Sequence, residues 1–207
     1  YRMDRILRKE NKSADDYKVA KQADTLMLFN NLDKQTVHSL ITSLGYSVSK
    51  HFAEKNLHYY LERTSHGSTL SRIVHAYLAE QIQLHDLSWQ LYQDALYSDY
   101  NDIQGGTTAE GIHTGVMAAT LNTTIMAYAG VDIRQDMLTI TPSLPQQWQK
   151  LSFKLLHRST LYQINLTHKE ISILSDKPST ILINHQTHKL TANTLLVLNL
   201  NGDTQND

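Results

Sequence analysis

The chain has 207 residues, 41% hydrophobic and 19% charged, with a formal net charge of -1. This is enough apolar side chain to bury a core in one large domain or two modest ones, which excludes wholesale disorder. The near-neutral charge leaves no global field to draw the chain to nucleic acid or anionic membrane, and with no cysteine there can be no disulfide, thiolate metal site or cysteine nucleophile.

"YRMDRILRKENKSADDYKV" opens the chain without an initiator methionine, on a charged, helix-compatible stretch. A chain cut from something longer and a trimmed or disordered N-terminus fit this opening equally. From Asp15 to Gly130 the apolar period is helical. "DDYKVAKQADTLMLFNNL" predicts a first helix, with Tyr17, Ala20, Met27 and Leu28 near one face and Ser13 as N-cap. "DKQTVHSLITSLGY" predicts a second, with Asp33 as cap and Gly45 as C-terminal stop. "SVSKHFAEKNLHYYLERTSHG" reads as a long, aromatic connection, of the kind that is functional or disordered in compact domains. "STLSRIVHAYLAEQIQ", "HDLSWQLYQDALYSDY" and "GIHTGVMAATLNTTIMAYAG" complete five predicted helices, the last ended by Gly130.

Beyond Gly130 the period changes to two. "DMLTITP", "KLSFKLLHR", "LYQINLTH", "EISILS", "STILINHQ", "HKLTAN" and "TLLVLNL" predict seven short strands in a small antiparallel sandwich. "TPSLPQQWQ" holds two of the three prolines and reads as the connector, and the tail "NGDTQND" is expected to fray. The division expected from this change is a helical part over 1–135 and a β-domain over 136–207. The longest apolar runs, "TLMLF" and "LLVLNL", are far too short to span a bilayer, and no signal peptide opens the chain.

Three segments could carry chemistry. In "DIQGGTTAEGIHTG", Gly105 and Gly106 allow positive φ or a close backbone approach, and Thr107, Thr108 and Glu110 lie just ahead of a predicted helix. Two readings stand. Unpaired N–H groups at a helix start suit an anion or a polyol, and Thr107 with Glu110 equally makes a plain capping box. In "RTSHGSTLS", Arg63 to Ser71, a histidine, a glycine and four hydroxyls precede another helix. Ser68, Thr69 and Ser71 can bind an oxyanion or sugar, or cap that helix beside an incidental His66; Arg63 and His66 could equally be structural. "VAKQAD" sets Lys21 and Gln22 among apolar neighbours within the first predicted helix, where a snorkelling lysine is the ordinary account. None of the eleven histidines falls into a metal-ligand spacing, so no metal is expected.

In this order and spacing, "YKVAKQADTLMLF", "YLERTSHGSTLSRIVHAYLA" and "DIQGGTTAEGIHTGVMAATLN" resemble the C-terminal part of glycoside hydrolase family 65. That family includes maltose, trehalose and kojibiose phosphorylases and some trehalose hydrolases. The similarity runs from about Asp15 to Leu200. It implies an α+β multidomain fold, in which the last helices of an (α/α)6 catalytic barrel precede a small antiparallel β-sandwich domain. Five predicted helices do not make the twelve of such a barrel, so the chain is expected to start within it. The family's general acid, a glutamate, is expected upstream, which leaves this chain inactive alone.

The resemblance also implies roles. Lys21 and Gln22 match the pair that contacts the sugar in the −1 subsite. His66, Ser68, Thr69 and Ser71 match a hydroxyl-rich segment that binds phosphate, with Gly106, Thr107, Thr108 and His113 on the opposite side of the same pocket. Glu110 matches the general base of the family's hydrolases. The implied activity is inverting phosphorolysis of an α-linked glucose disaccharide to β-glucose 1-phosphate and a sugar. A trehalase-type hydrolase with Glu110 as general base, and a non-catalytic carbohydrate-binding remnant, are the alternatives. Inorganic phosphate is then a co-substrate, and no cofactor is expected. The expected partners are the disaccharide, phosphate, the N-terminal part of the enzyme and a second copy in a full-length homodimer. Neither nucleic acid nor membrane is expected, and the location is cytoplasmic.

Overall fold

The structure, a computed structural model, describes residues 3–103 and 108–200. The chain divides into two compact units, 1–123 and 124–207.

The first unit is helical. It comprises α1 (Met3–Lys9), a 3-10 turn (Ala14–Asp16), α2 (Met27–Asn31), α3 (Lys34–Ser43), α4 (Phe52–Leu61), α5 (Leu70–Gln81), α6 (His85–Leu96), a 3-10 turn (Thr108–Glu110) and α7 (Thr114–Thr123). The ends of α3 follow their residue types. Asp33 accepts from the Thr36 N–H at 2.9 Å, satisfying one of the orphan donors of the first turn. At the other end Gly45 takes φ +85°, and the N–H groups of Gly45 and Tyr46 return to the carbonyls of Thr42 and Ile41. Buried Ala23, Leu26, Phe29, Val37, Leu57, Val74, Leu78 and Ala79 form one core. α5 is the axis of the unit, with nine of its twelve residues buried. Where α6 packs on it, fully buried Ser88 donates to the Ala76 carbonyl at 2.9 Å, a close approach that two small residues permit.

Two expected elements differ. The single helix over "DDYKVAKQADTLMLFNNL" does not form: between the turn at Ala14–Asp16 and α2, the backbone instead pairs with residues 63–67. Ala20 N–H donates to Arg63 O, Ser65 N–H to Ala20 O and Gly67 N–H to Lys21 O, all at 2.8–2.9 Å. These non-local bonds replace the intrahelical ones, while Ala23 and Leu26 still reach the core. The connection "SVSKHFAEKNLHYYLERTSHG" is not irregular either, because it contains α4, which buries Leu57.

The second unit opens with a π-helical turn, Thr124–Tyr128, and continues with β1 (Val131–Asp132), β2 (Leu138–Ile140), β3 (Lys150–His157), β4 (Thr160–Thr167), β5 (Glu170–Ser175), β6 (Ser179–Ile183), β7 (Gln186–Leu190) and β8 (Leu196–Asn199). All seven expected strands form, and β1 is added. They make two four-stranded sheets, β1-β2-β6-β7 and β3-β4-β5-β8. One core joins the inward residues of both, among them Leu138, Ile140, Ile181 and Ile183 from the first and Tyr162, Ile164, Ile171 and Ile173 from the second. The sandwich is not purely antiparallel: β2 pairs with β6 in parallel, Leu138 opposite Ile181. The long excursion through β3, β4 and β5 returns the chain to β2 in the same direction, which no short hairpin could do. Gly130, at φ +68°, lies against the backbone of Thr141 and Pro142 where the chain enters β1 opposite the end of β2.

Candidate functional site

Three stretches of the helical unit meet around the starts of α5 and α7. The first is the extended segment through Ala20 and Lys21, held to residues 63–67 by the backbone bonds above. Lys21 is exposed, while half-buried Gln22 donates from Nε2 to Asp24 Oδ1 at 2.8 Å.

The second stretch is His66 to Ser71. His66 has φ +48°, a conformation that costs a β-carbon-bearing residue free energy and is held here by the pairing of its neighbours. Its Nδ1 lies 2.9 Å from Ser71 Oγ, and its ring packs edge-on against His75 at 5.1 Å. Burial, then the nearby His75 and the Arg72 guanidinium, lower the His66 pKa to about 4, so the ring is neutral at pH 7. Ser71 is buried and engaged with His66, and Thr69 is buried as well; Ser68 is the more open hydroxyl. Thr69 stands at the N-cap of α5 without a side-chain cap bond. Arg72 pairs with Asp94 of α6 at 3.4 Å. Arg63 is structural in its contacts, bonding Glu62 and the Tyr59 carbonyl and lying over the Tyr59 ring.

The third stretch is Thr108 to Thr114. Gly106 and Thr107 lie outside the described residues. The capping box expected from Thr107 and Glu110 therefore falls outside them too; Glu110 ends a 3-10 turn, Gly111 follows at φ +97°, and α7 begins only at Thr114. Glu110 is the outer member of a chain of three side chains. Its Oε2 is 3.5 Å from His113 Nε2, and His113 Nδ1 is 2.6 Å from Asp99 Oδ1. Asp99 Oδ2 also accepts from the His113 backbone N–H at 2.7 Å. The hydrogen bond to Asp99, and then the charges of Asp99 and Glu110, raise the His113 pKa above its ordinary value, against burial. Thr108 donates from its hydroxyl to the Asp99 carbonyl and from its N–H to Asp102.

The second and third stretches are neighbours, since a β-carbon at Gly115, the second residue of α7, would lie 3.7 Å from Cδ1 of Leu70, the first residue of α5. Asp99, Arg72, His75 and Asp94 were not singled out in the sequence. Asp99 lies fourteen residues from its partner across the glycine-rich loop, a spacing with no periodic signature.

Chemically, the arrangement offers a neutral imidazole, an imidazole biased toward its cation, the more open Ser68 hydroxyl and first-turn N–H groups. These are donors suited to an oxyanion or a polyol. Among the described residues no helix is long and apolar enough to cross a membrane.

Residues 1–122 match the profile of the glycosyl hydrolase family 65 central catalytic domain, and residues 131–191 that of the family's C-terminal domain. The chain is 42% identical over 171 residues to the trehalose 6-phosphate phosphorylase of Lactococcus lactis, covering 83% of this chain and 22% of that protein. It is 31% identical to the kojibiose phosphorylase of Escherichia coli over 81% of this chain and 20% of that protein. It thus spans about a fifth of the length of these relatives. A solved structure provisionally named as a kojibiose phosphorylase, from the human microbiome, superposes with a TM-score of 0.70 at 23% identity, over 88% of this chain and 25% of that one.

Proposed function

The chain belongs to glycoside hydrolase family 65, and from that premise we propose that it forms the phosphate-binding side of the active site of an inverting α-glucoside phosphorylase. In this reading the helical unit is the last part of an (α/α)6 barrel. A phosphate oxygen attacks the anomeric carbon from the face opposite the leaving sugar. A carboxylic acid elsewhere in the enzyme protonates the leaving oxygen as the glycosidic bond breaks, giving β-glucose 1-phosphate and a sugar. Phosphate is already anionic, so its nucleophilicity needs no carboxylate base. It needs donors that hold and orient it.

The observation that carries this reading is the contact between Leu70 and the Gly115 position, which brings two donor-rich helix starts together. Ser68, the Thr108 segment and His113 are the ligands assigned to phosphate, with Ser71 holding His66 from behind. Lys21 and Gln22 are assigned to the sugar, next to the His66 stretch through the Lys21 carbonyl. The phosphorylase names of the relatives support the same choice.

A hydrolase is the second reading. It is favoured by the exposure of Glu110, 68% of whose side chain is open to solvent and to a water nucleophile. The test is the enzyme expressed from its complete open reading frame and assayed on α-linked glucose disaccharides with and without inorganic phosphate. Cleavage that requires phosphate and yields β-glucose 1-phosphate is the expected result. Release of free glucose at the same rate without phosphate overturns it.

A further inference from the structure

We propose that Asp99 is a positioning residue for His113, its two carboxylate oxygens fixing the ring and the backbone of that residue so that Nε2 faces the Glu110 side of the site, where phosphate is received. The proposal rests on the phosphorylase reading above for the identity of the ligand, but not for the geometry.

Asp99 follows α6, and only 16% of its side chain is exposed. One oxygen takes the His113 backbone N–H at 2.7 Å and the other takes Nδ1 at 2.6 Å. A carboxylate has acceptors only, so the Nδ1 it faces carries a proton. That assigns the remaining nitrogen, Nε2, to whatever enters the site. The nitrogen's contact with Glu110 Oε2, at 3.5 Å, is too long for a strong hydrogen bond, which leaves Nε2 able to donate to a ligand. The main chain of Asp99 contributes as well, because its carbonyl accepts from the Thr108 hydroxyl at 2.9 Å. One residue therefore pins both ends of the segment from Thr108 to His113, and with it Glu110 in between.

Charge points the same way. Asp99 stabilises the imidazolium, so it biases His113 toward the cationic donor, and a charge-assisted bond to a phosphate oxygen is the stronger kind. The groups acting on the ring are Asp99 and Glu110, with Asp102 behind Thr108. On the packed helices, Arg72 is engaged by Asp94, and His66 by Ser71 and His75. Asp99 thus supplies to the histidine what a carboxylate supplies to the imidazole of a catalytic triad, namely orientation and a charge. It touches no substrate itself.

The test is Asp99→Asn in the full-length enzyme, with phosphate and disaccharide kinetics measured across pH, and with the His113 imidazole followed by NMR in both proteins. Asparagine keeps the shape and loses the charge. The expected result is a KM for phosphate raised ~10–100-fold, the scale of losing orientation at a reacting group, with the disaccharide KM changed far less. The alkaline limb of kcat/KM for phosphate should move to lower pH, and the His113 titration with it. Equal rises in both KM values, or a lower Tm with the pH profile and the His113 titration unchanged, would show a merely structural aspartate and overturn the proposal. Should the wild type cleave without phosphate, the phosphorylase reading fails by itself. The His113 titration then decides alone: a shift in Asp99→Asn upholds the positioning role, and no shift ends it.

Discussion

Leu70 begins α5 and Gly115 sits in the first turn of α7, and a β-carbon added at Gly115 would lie 3.7 Å from Leu70 Cδ1. That is ordinary van der Waals contact, so Gly115→Ala should be accepted, with a stability change within about 0.5 kcal/mol. Gly115→Leu sets a larger side chain against Leu70; both positions are exposed, so the cost should stay at the low end of the about 1–3 kcal/mol of an overpacked contact, as the Leu70 side chain and the helix starts shift to admit it. If these starts share an anion, the leucine variant binds phosphate more weakly while the alanine variant does not. Thermal unfolding and phosphate KM, measured on both variants, check this. An unchanged phosphate KM in Gly115→Leu, with the expected loss of Tm, would separate the two stretches functionally.

His66 and His113 should give opposite pH dependences. The pKa of His66 falls from an unfolded value near 6.5 to about 4 in the fold. The unfolded chain therefore binds the proton more readily between those values, and folding stability is lost as pH falls from 6.5 toward 4. His113 has a raised folded pKa, so its contribution is fully present below pH 6.5 and is lost as pH rises through the folded value. His66→Asn tolerates the positive φ and retains polar atoms near Ser71, but does not titrate. Tm against pH should then show a shallower acid slope than the wild type. The slope should not vanish, because buried His75 is also lowered and acts with the same sign. An acid slope identical to that of the wild type would show that His66 is not desolvated.

Gly130 makes a sharper prediction for the β-unit. At φ +68°, with a β-carbon landing on the Thr141 carbonyl oxygen, it has neither the conformation nor the space for a side chain. Relief would have to come from backbone rather than from a flexible side chain. Gly130→Ala should lower stability by more than about 2 kcal/mol, in the tail of the usual range for single substitutions. Denaturant unfolding of the variant measures this, and a change under 0.5 kcal/mol would mean the β1–β2 backbone is readily displaced.

These sites differ in how far the sequence disclosed them. Asp33 and Gly45 act within one or two turns of themselves, so their residue types alone predicted the ends of α3. The strands from Lys150 onward were legible because alternation is local too. α4 carried a readable signal, with Ala53, Leu57, Tyr60 and Leu61 at helical steps, though the aromatic and charged residues around them obscured it. The stretch from Tyr17 to Leu26 was not legible, because its apolar spacing suits a helix while its hydrogen bonds go to Arg63, Ser65 and Gly67, more than forty residues away. The same holds at the site. His66, Glu110 and His113 were visible as chemistry-bearing types beside glycines, whereas Asp99 and Arg72 matter through partners on other segments. Ser71 resembled its neighbouring hydroxyls in sequence, and burial against His66 sets it apart. The parallel pairing of β2 with β6 likewise depends on where the chain returns, which strand periodicity does not encode.

Glu110 is the residue at which phosphorolysis and hydrolysis part. Its carboxylate is largely exposed and 3.5 Å from His113 Nε2. If water is the nucleophile, Glu110→Gln removes the group that takes its proton, and turnover should fall by the ~10²–10⁴-fold typical of losing a general base. If phosphate is the nucleophile, the neutral amide leaves the attacking oxygen intact and removes a like charge from beside the incoming dianion. The two effects on phosphate then compete. Loss of Glu110 slightly weakens the imidazolium of His113, but Asp99 is the larger influence on that ring and remains in place. Repulsion should therefore dominate, with phosphate KM unchanged or lower and kcat within a few-fold of the wild type. The measurement is initial rates of the full-length enzyme and Glu110→Gln on α-linked glucose disaccharides, across a phosphate series that includes none. Retained phosphate-dependent formation of β-glucose 1-phosphate in the variant supports phosphorolysis. Phosphate-independent release of glucose in the wild type, abolished in Glu110→Gln, would assign Glu110 as the base of a hydrolase.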